Sequence, residues 1–267
     1  MAIPLPDSAP RPLSTIQLLT WLGLLLVIGG AVAASLYWVD QNVLLVGRDS
    51  AGHLEQSVLV GRALHSGFPQ GLFQAITLDD YRPPALYLLT QIPYALFGVS
   101  MDAAQYTNIA LLAIILVLTF LLARRVLADG WALFAVLITA LLPMIAAMTR
   151  LYYMENLLTA VLLGNLIALL NTRGFTQRGW TLIWGATLGL ALLEKWTAPV
   201  YILAPTLVVM GRTGFWPALR GAWPVRRAPW LELVISLAGG AALALLWFWP
   251  NRGPVAEMEM PLGTLLP

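Results

Sequence analysis

No charged residue occurs between Ile16 and Val39. A run of that length and apolarity crosses a bilayer core, which takes roughly 20 residues in a helix. Apolar runs return at Tyr106–Val126, Trp131–Met148, Asn156–Leu170, Trp180–Leu193, Thr197–Met210 and Leu231–Trp249. Lipid offers the backbone no hydrogen-bond partners, so runs of this kind satisfy their own amides as helices. The fifth and sixth are short, separated by Glu194 and Lys195, and are expected to be tilted, kinked or partly re-entrant. The chain is 59% hydrophobic and 10% charged, whereas soluble domains average about 45–50% and about 25%. The expected fold class is therefore an all-α polytopic membrane protein with about seven transmembrane helices. There is no cysteine, which removes disulfides and thiolate chemistry.

Charge distribution orients the spans. With the N-terminus inside, Arg11, Arg124, Arg125, Arg173, Arg178, Arg212, Arg220, Arg226 and Arg227 fall on the cytoplasmic side, as the positive-inside rule asks. Most acids then lie outside, among them Asp49, Glu55, Glu155 and Glu194. Ala31-Val32-Ala33 resembles a signal-peptidase site, but the apolar run continues to Val39 and ends in Tyr37 and Trp38. An uncleaved anchor is expected. Residues 1–15 read as a disordered cytoplasmic tail, 16–250 as the membrane domain and 251–267 as an outer tail cut short. The loop Gly211–Pro229, with prolines and tryptophans among its arginines, reads as lying on the inner leaflet.

The first outer loop, Asp40–Gln105, is too long for a plain connector. Its stretch Ala51–His65 spaces Leu54, Val58, Leu59 and Leu64 for an amphipathic interfacial helix that Gly67 and Pro69 end. Further on, Pro83 extends Arg82 and Pro84 suits a first helical turn. Ala85–Phe97 is apolar but short and carries Pro93, so it is expected as a second interfacial helix, with a true span as the alternative.

Four charged residues fall on this outer face: Asp49, Arg82, Glu155 and Lys195. Charges at membrane depth are costly and are usually paired or functional. A structural reading pairs Glu155 with Arg150 and Lys195 with Glu194. The functional reading is a site, since carboxylates supply general bases and Arg and Lys bind phosphate. Such a site suits a lipid-linked phosphate substrate attacked by a hydroxyl or amine. No cofactor is expected. A divalent metal is the alternative, because Asp49 and His53 share a helix face, but no third ligand accompanies them.

Several motifs taken together resemble the GT-C membrane glycosyltransferases. They are "DSAGH" (Asp49–His53), "YRPPALYLLTQIPYALFG" ending at Gly98, "RLYYMEN" (Arg150–Asn156) and "LALLEKWTAP" (Leu190–Pro199). The likeness is to dolichyl-phosphate-mannose protein mannosyltransferases and to the lipid A aminoarabinose transferase, and covers about Ile16 to Met210. It implies a GT-C-like bundle with interfacial helices in the first outer loop, in a bacterial-type plasma membrane. It implies Asp49 as general base and Glu155 as a second acid, with Arg82 and Lys195 near the donor phosphate. His53, Arg150 and Glu55 are possible supporting residues. The donor would be a polyprenyl-phosphate sugar and the acceptor a lipid, glycan or protein, with no nucleic acid involved and transfer inverting the anomeric centre. Ser50 stands where the family usually carries Glu, and Glu155 where it usually carries Asp. Two other readings are a transporter of a lipid-linked substrate and a non-catalytic or truncated scaffold of the same fold. A transporter predicts repeats and midplane charges, and the sequence shows neither.

Overall fold

A computed structural model describes residues 15–42, 48–79, 81–212 and 229–253. Residues 1–14 of the expected cytoplasmic tail, the arginine-rich residues 213–228 and the tail beyond residue 253 lie outside the described residues. The described residues form eleven helices and no strand. They are α1 (Thr15–Gln41), α2 (Arg48–Leu64), α3 (Gln70–Thr77), α4 (Ala85–Phe97), α5 (Met101–Ala123), α6 (Asp129–Leu141), α7 (Pro143–Arg150), α8 (Glu155–Asn171), α9 (Arg178–Leu192), α10 (Ala198–Arg212) and α11 (Pro229–Phe248). The chain is an all-α integral membrane protein.

Helices occupy all seven expected spans. Among the described residues, α1, α5 and α11 are each long and apolar enough to cross a bilayer. The expected single span Trp131–Met148 is instead two helices, α6 and α7, bent by 57°. The cause is local: Pro143 has no N–H to continue α6 and forces Leu142 into an extended conformation, at φ −63° and ψ 122°. At 17, 15 and 15 residues, α8, α9 and α10 are shorter.

The long first loop, expected to lie outside, holds three helices rather than two. The amphipathic α2 ends before Gly67, whose φ of +96° needs a residue without a Cβ. The additional short α3 packs back on α2. Pro93 does not interrupt α4, which runs unbroken to Gly98. Ser100 caps α5, its hydroxyl accepting from the Ala103 N–H at 3.1 Å, so α5 starts well before the expected Tyr106.

Helix α5 is the centre of the bundle and packs on α1, α4, α6, α7 and α8. Its buried face includes Leu111, Leu112, Ile115 and Leu116. Leu19, Leu25 and Leu26 of α1 stay exposed, as lipid-facing leucines do. In contrast, α9 and α11 meet backbone to backbone. A Cβ on Gly189 would lie 2.5 Å from the Gly240 carbonyl oxygen, and Gly185 abuts Ser236. With no hydrophobic drive between helices in lipid, such small-residue seams supply the packing. The bundle has two chemically different ends. Arg124 stacks on Trp21 and Phe120, and Arg125 donates to Asn171, at one end. The charged cluster described next sits at the other.

Candidate active site

Three chain segments converge at the end of the bundle that carries α2, α3 and the start of α4. The first carries Arg82. Asp79 folds its carboxylate back to accept from the backbone N–H groups of Tyr81 and Arg82, at 2.8 and 3.0 Å. The Asp79 carbonyl in turn accepts from the Trp247 indole N–H of α11 at 2.9 Å. Pro83 and Pro84 then lead into α4, so the Arg82 backbone is fixed on both sides. Its guanidinium lies on α2 at Gly52, where a Cβ would sit 2.9 Å from Nη1. Asp49, Gly52 and His53 are spaced i, i+3 and i+4 and so share the face that meets Arg82.

The second segment is the turn from α7 to α8. Its carbonyls are satisfied by amides of α5. Gln105 donates to the Arg150 carbonyl at 2.7 Å, and Asn108 donates to those of Leu151 at 2.7 Å and Tyr153 at 3.1 Å. Asn156 ties back to the Asn108 carbonyl at 3.2 Å. Polar side chains buried in lipid-spanning helices need such partners. Here they fix Tyr153, Met154 and Glu155. Glu155 opens α8, where the helix dipole favours a carboxylate.

The third segment is the turn from α9 to α10. The Leu193 carbonyl accepts from the Ala85 N–H of α4 at 3.1 Å, docking this turn onto the start of α4. Glu194 points inward and is fully buried, while Lys195 turns toward α8 and pairs with Glu155 at 3.0 Å. The pairing is neither Glu155 with Arg150 nor Lys195 with Glu194.

Asp49, His53, Arg82, Glu155 and Lys195 line one cavity of about 230 Å³, together with Tyr81, Tyr153, Glu194 and Trp196. The four charged residues expected on one face are thus gathered around one space. His53 is buried beneath it, its Nδ1 2.8 Å from the Tyr87 hydroxyl, with Tyr153 edge-on at 5.7 Å. Burial, helped by the Arg82 guanidinium, pushes the His53 imidazole down to about 4. The ring is therefore neutral at pH 7. Arg150 and Glu55 are not at the cavity. Arg150 lies over Trp38 at 5.8 Å beside a separate hollow between α1, α5, α6 and α7. Glu55 is exposed on α2. Sequence reasoning missed Glu194 as part of the lining. The missed signal was its place at a helix end, where a tight turn sends neighbouring side chains in opposite directions.

Apolar hollows continue from the cavity. Tyr153, Glu155 and Thr159 also border a space of about 370 Å³ against Ile145 and Met148 of α7. Thr159 then begins a trough of about 210 Å³ along α8, walled by Tyr201, Ile202 and Pro205 of α10. Among the described residues no group of three or more His, Asp or Glu is close enough together to hold a metal ion.

Residues 81–251 match the family described as dolichyl-phosphate-mannose-protein mannosyltransferase. No curated protein and no solved structure matches the chain. The matched span carries Arg82, Glu155 and Lys195, together with the Trp247 that steadies the Arg82 loop. It covers more than half of the sequence. The chain belongs to this family of membrane glycosyltransferases of the GT-C type, which implies a lipid-linked sugar donor and an acceptor at the membrane.

Proposed function

We propose that the chain transfers a glycosyl group from a polyprenyl-phosphate sugar to a hydroxyl or amine acceptor, with inversion and with Asp49 as general base. The observation that carries this reading is the single cavity shared by Asp49, Arg82, Glu155 and Lys195. Asp49 takes the acceptor proton. The acceptor oxygen or nitrogen attacks the anomeric carbon opposite the phosphate, and the carbon–oxygen bond to the phosphate breaks. The electron pair stays on the phosphate, whose growing charge is offset by Lys195 and Arg82. Glu155 holds the Lys195 ammonium at 3.0 Å and aims it into the cavity. These two cations do the electrostatic work, so the scheme calls on no metal. His53, neutral, holds Tyr87 and backs the Arg82 side of the site.

The apolar trough along α8 suits the polyprenyl chain, with the phosphate at its charged end. Asp49 stays on the open side of the cavity, where an acceptor arrives from water. The excess of arginines at the opposite end of the chain's topology supports an active site on the non-cytoplasmic face of a bacterial-type plasma membrane.

Asp49→Asn tests the reading in a complemented host. General-base loss lowers transfer by about 10²- to 10⁴-fold, at unchanged protein level. Transfer at the normal rate in this variant sinks the assignment of Asp49.

A further inference from the structure

The transfer scheme leaves Glu194 without a task. Its side chain is fully buried, and it borders the cavity beside Lys195 and Arg82. It faces the Leu86 N–H at the start of α4. Neither carboxyl oxygen reaches hydrogen-bond geometry with any described residue. The nearby ammonium of Lys195 is held by Glu155 at 3.0 Å. The groups that face Glu194 are Glu155 of α8, Lys195 of its own turn, Tyr87 of α4 and Tyr152 of the α7–α8 turn.

An ionised carboxylate is costly to bury without hydrogen bonds. Burial accordingly pushes the Glu194 carboxyl well above the usual carboxylate range. The neutral acid is an O–H donor, and no described residue gives it an acceptor. Another anion beside it would repel a phosphate, whereas an O–H would hold one.

We propose that Glu194 donates a hydrogen bond to a phosphate oxygen of the lipid-linked donor, beside Lys195. This rests on the reading that the donor phosphate occupies the cavity. During transfer the sugar–oxygen bond breaks, and its electron pair moves onto the phosphate. The Glu194 O–H strengthens its hold as that charge grows, and no proton has to leave it. The same arrangement makes phosphate binding depend on Glu194 staying protonated, so affinity falls as pH rises through its ionisation.

The test uses the full chain in lipid nanodiscs with a polyprenyl monophosphate as probe and the matching polyprenol as control. Binding is followed by tryptophan fluorescence, Trp196 being at the cavity, and stays below about pH 9, where lysine remains charged. Glu194→Gln keeps the shape and a neutral donor. It is expected to bind the phosphate as the wild type does at low pH and to lose the alkaline weakening. Glu194→Leu is expected to bind tenfold or more weakly, as loss of a hydrogen bond to a charged group does. The infrared carbonyl band of a protonated acid should be present in the wild type and gone in Glu194→Gln.

The same alkaline weakening in Glu194→Gln overturns the inference, as does undiminished binding by Glu194→Leu. Lys195→Ala separates it from the underlying reading. If Lys195→Ala loses phosphate binding while the Glu194 variants do not, only the Glu194 role fails. If the wild type binds the monophosphate no better than the polyprenol, the donor site itself is wrong and the inference falls with it.

Discussion

Gly52→Ala should separate stability from activity, with opposite signs. Gly52 lies inside α2, where glycine is about 0.5–1 kcal/mol worse than alanine. On propensity alone the substitution stabilises. The new Cβ, however, would lie 2.9 Å from Nη1 and 3.4 Å from Nη2 of Arg82. Ordinary contact begins near 3.4 Å, so the guanidinium must retreat by about 0.5–1 Å. A flexible tip can do this cheaply, so most of the helix gain survives. Misplacing a catalytic contact by about 1 Å costs up to 10²-fold, and transfer should fall roughly 10- to 100-fold. Thermal unfolding in detergent and transfer in membranes give the two readouts. The double variant with Arg82→Ala is the decisive control, since two changes acting through one contact do not add. In that background Gly52→Ala should lower transfer no further. Full activity in a stable Gly52→Ala variant would refute the idea that Arg82 works from its seat on Gly52. So would additive losses in the double variant.

Four further variants have outcomes that can be measured. Gly189→Val should lower the unfolding temperature sharply, because its side chain meets the Gly240 carbonyl of α11 and neither backbone can yield. Gly164→Ala, where no described residue outside its own helix backbone and chain neighbours lies within 4 Å of the new Cβ, should leave it unchanged or higher. Asn108→Ala removes the donor shared by the Leu151 and Tyr153 carbonyls, which should cost about 1–3 kcal/mol and loosen the turn that aims Glu155. It should lower kcat more than it raises KM. His53 makes stability depend on acid. Its folded value of about 4 lies below its ordinary 6.5, so the unfolded chain binds more protons between those values. Stability is then unaffected above pH 6.5 and falls as pH drops toward 4, by about 3 kcal/mol in total. His53→Gln should lose that part of the acid sensitivity, as pH-resolved unfolding would show.

The parts of the fold legible in sequence were those set by one-dimensional patterns. Uninterrupted apolar length marked α1, α5 and α11, and the Pro84 and Gly98 signals bounded α4 at its observed ends. The bend between α6 and α7 was also written in the sequence, in Pro143, but hydropathy averages over a single proline. Ser100 was overlooked in the same way: apolarity begins at Tyr106, whereas a hydroxyl cap begins the helix earlier. The α9–α11 seam was harder. Gly185 and Gly189 show the small-xxx-small spacing, yet the spacing does not name the partner that α11 supplies through Ser236 and Gly240.

For the site, topology alone put Asp49, Arg82, Glu155 and Lys195 on one face, since every charged loop residue must emerge somewhere. Which carboxylate meets which cation was not legible, because pairs adjacent in sequence compete with pairs adjacent in space. Lys195 follows Glu194 directly, but the end of α9 turns the two apart, one into the protein and one toward Glu155. The choice has chemical consequences. A Glu194–Lys195 pair would have held the lysine within its own turn and left Glu155 as an isolated acid at the cavity. The observed pairing leaves Lys195 within the cavity on Glu155 of α8, and leaves Glu194 buried with no counter-ion of its own among the described residues. If phosphate binding draws Lys195 from Glu155, then Glu155→Gln should tighten polyprenyl-monophosphate binding while slowing transfer, because the ammonium is freed but no longer aimed. Weaker binding in Glu155→Gln would show instead that the pair is needed to place the cation before any phosphate arrives.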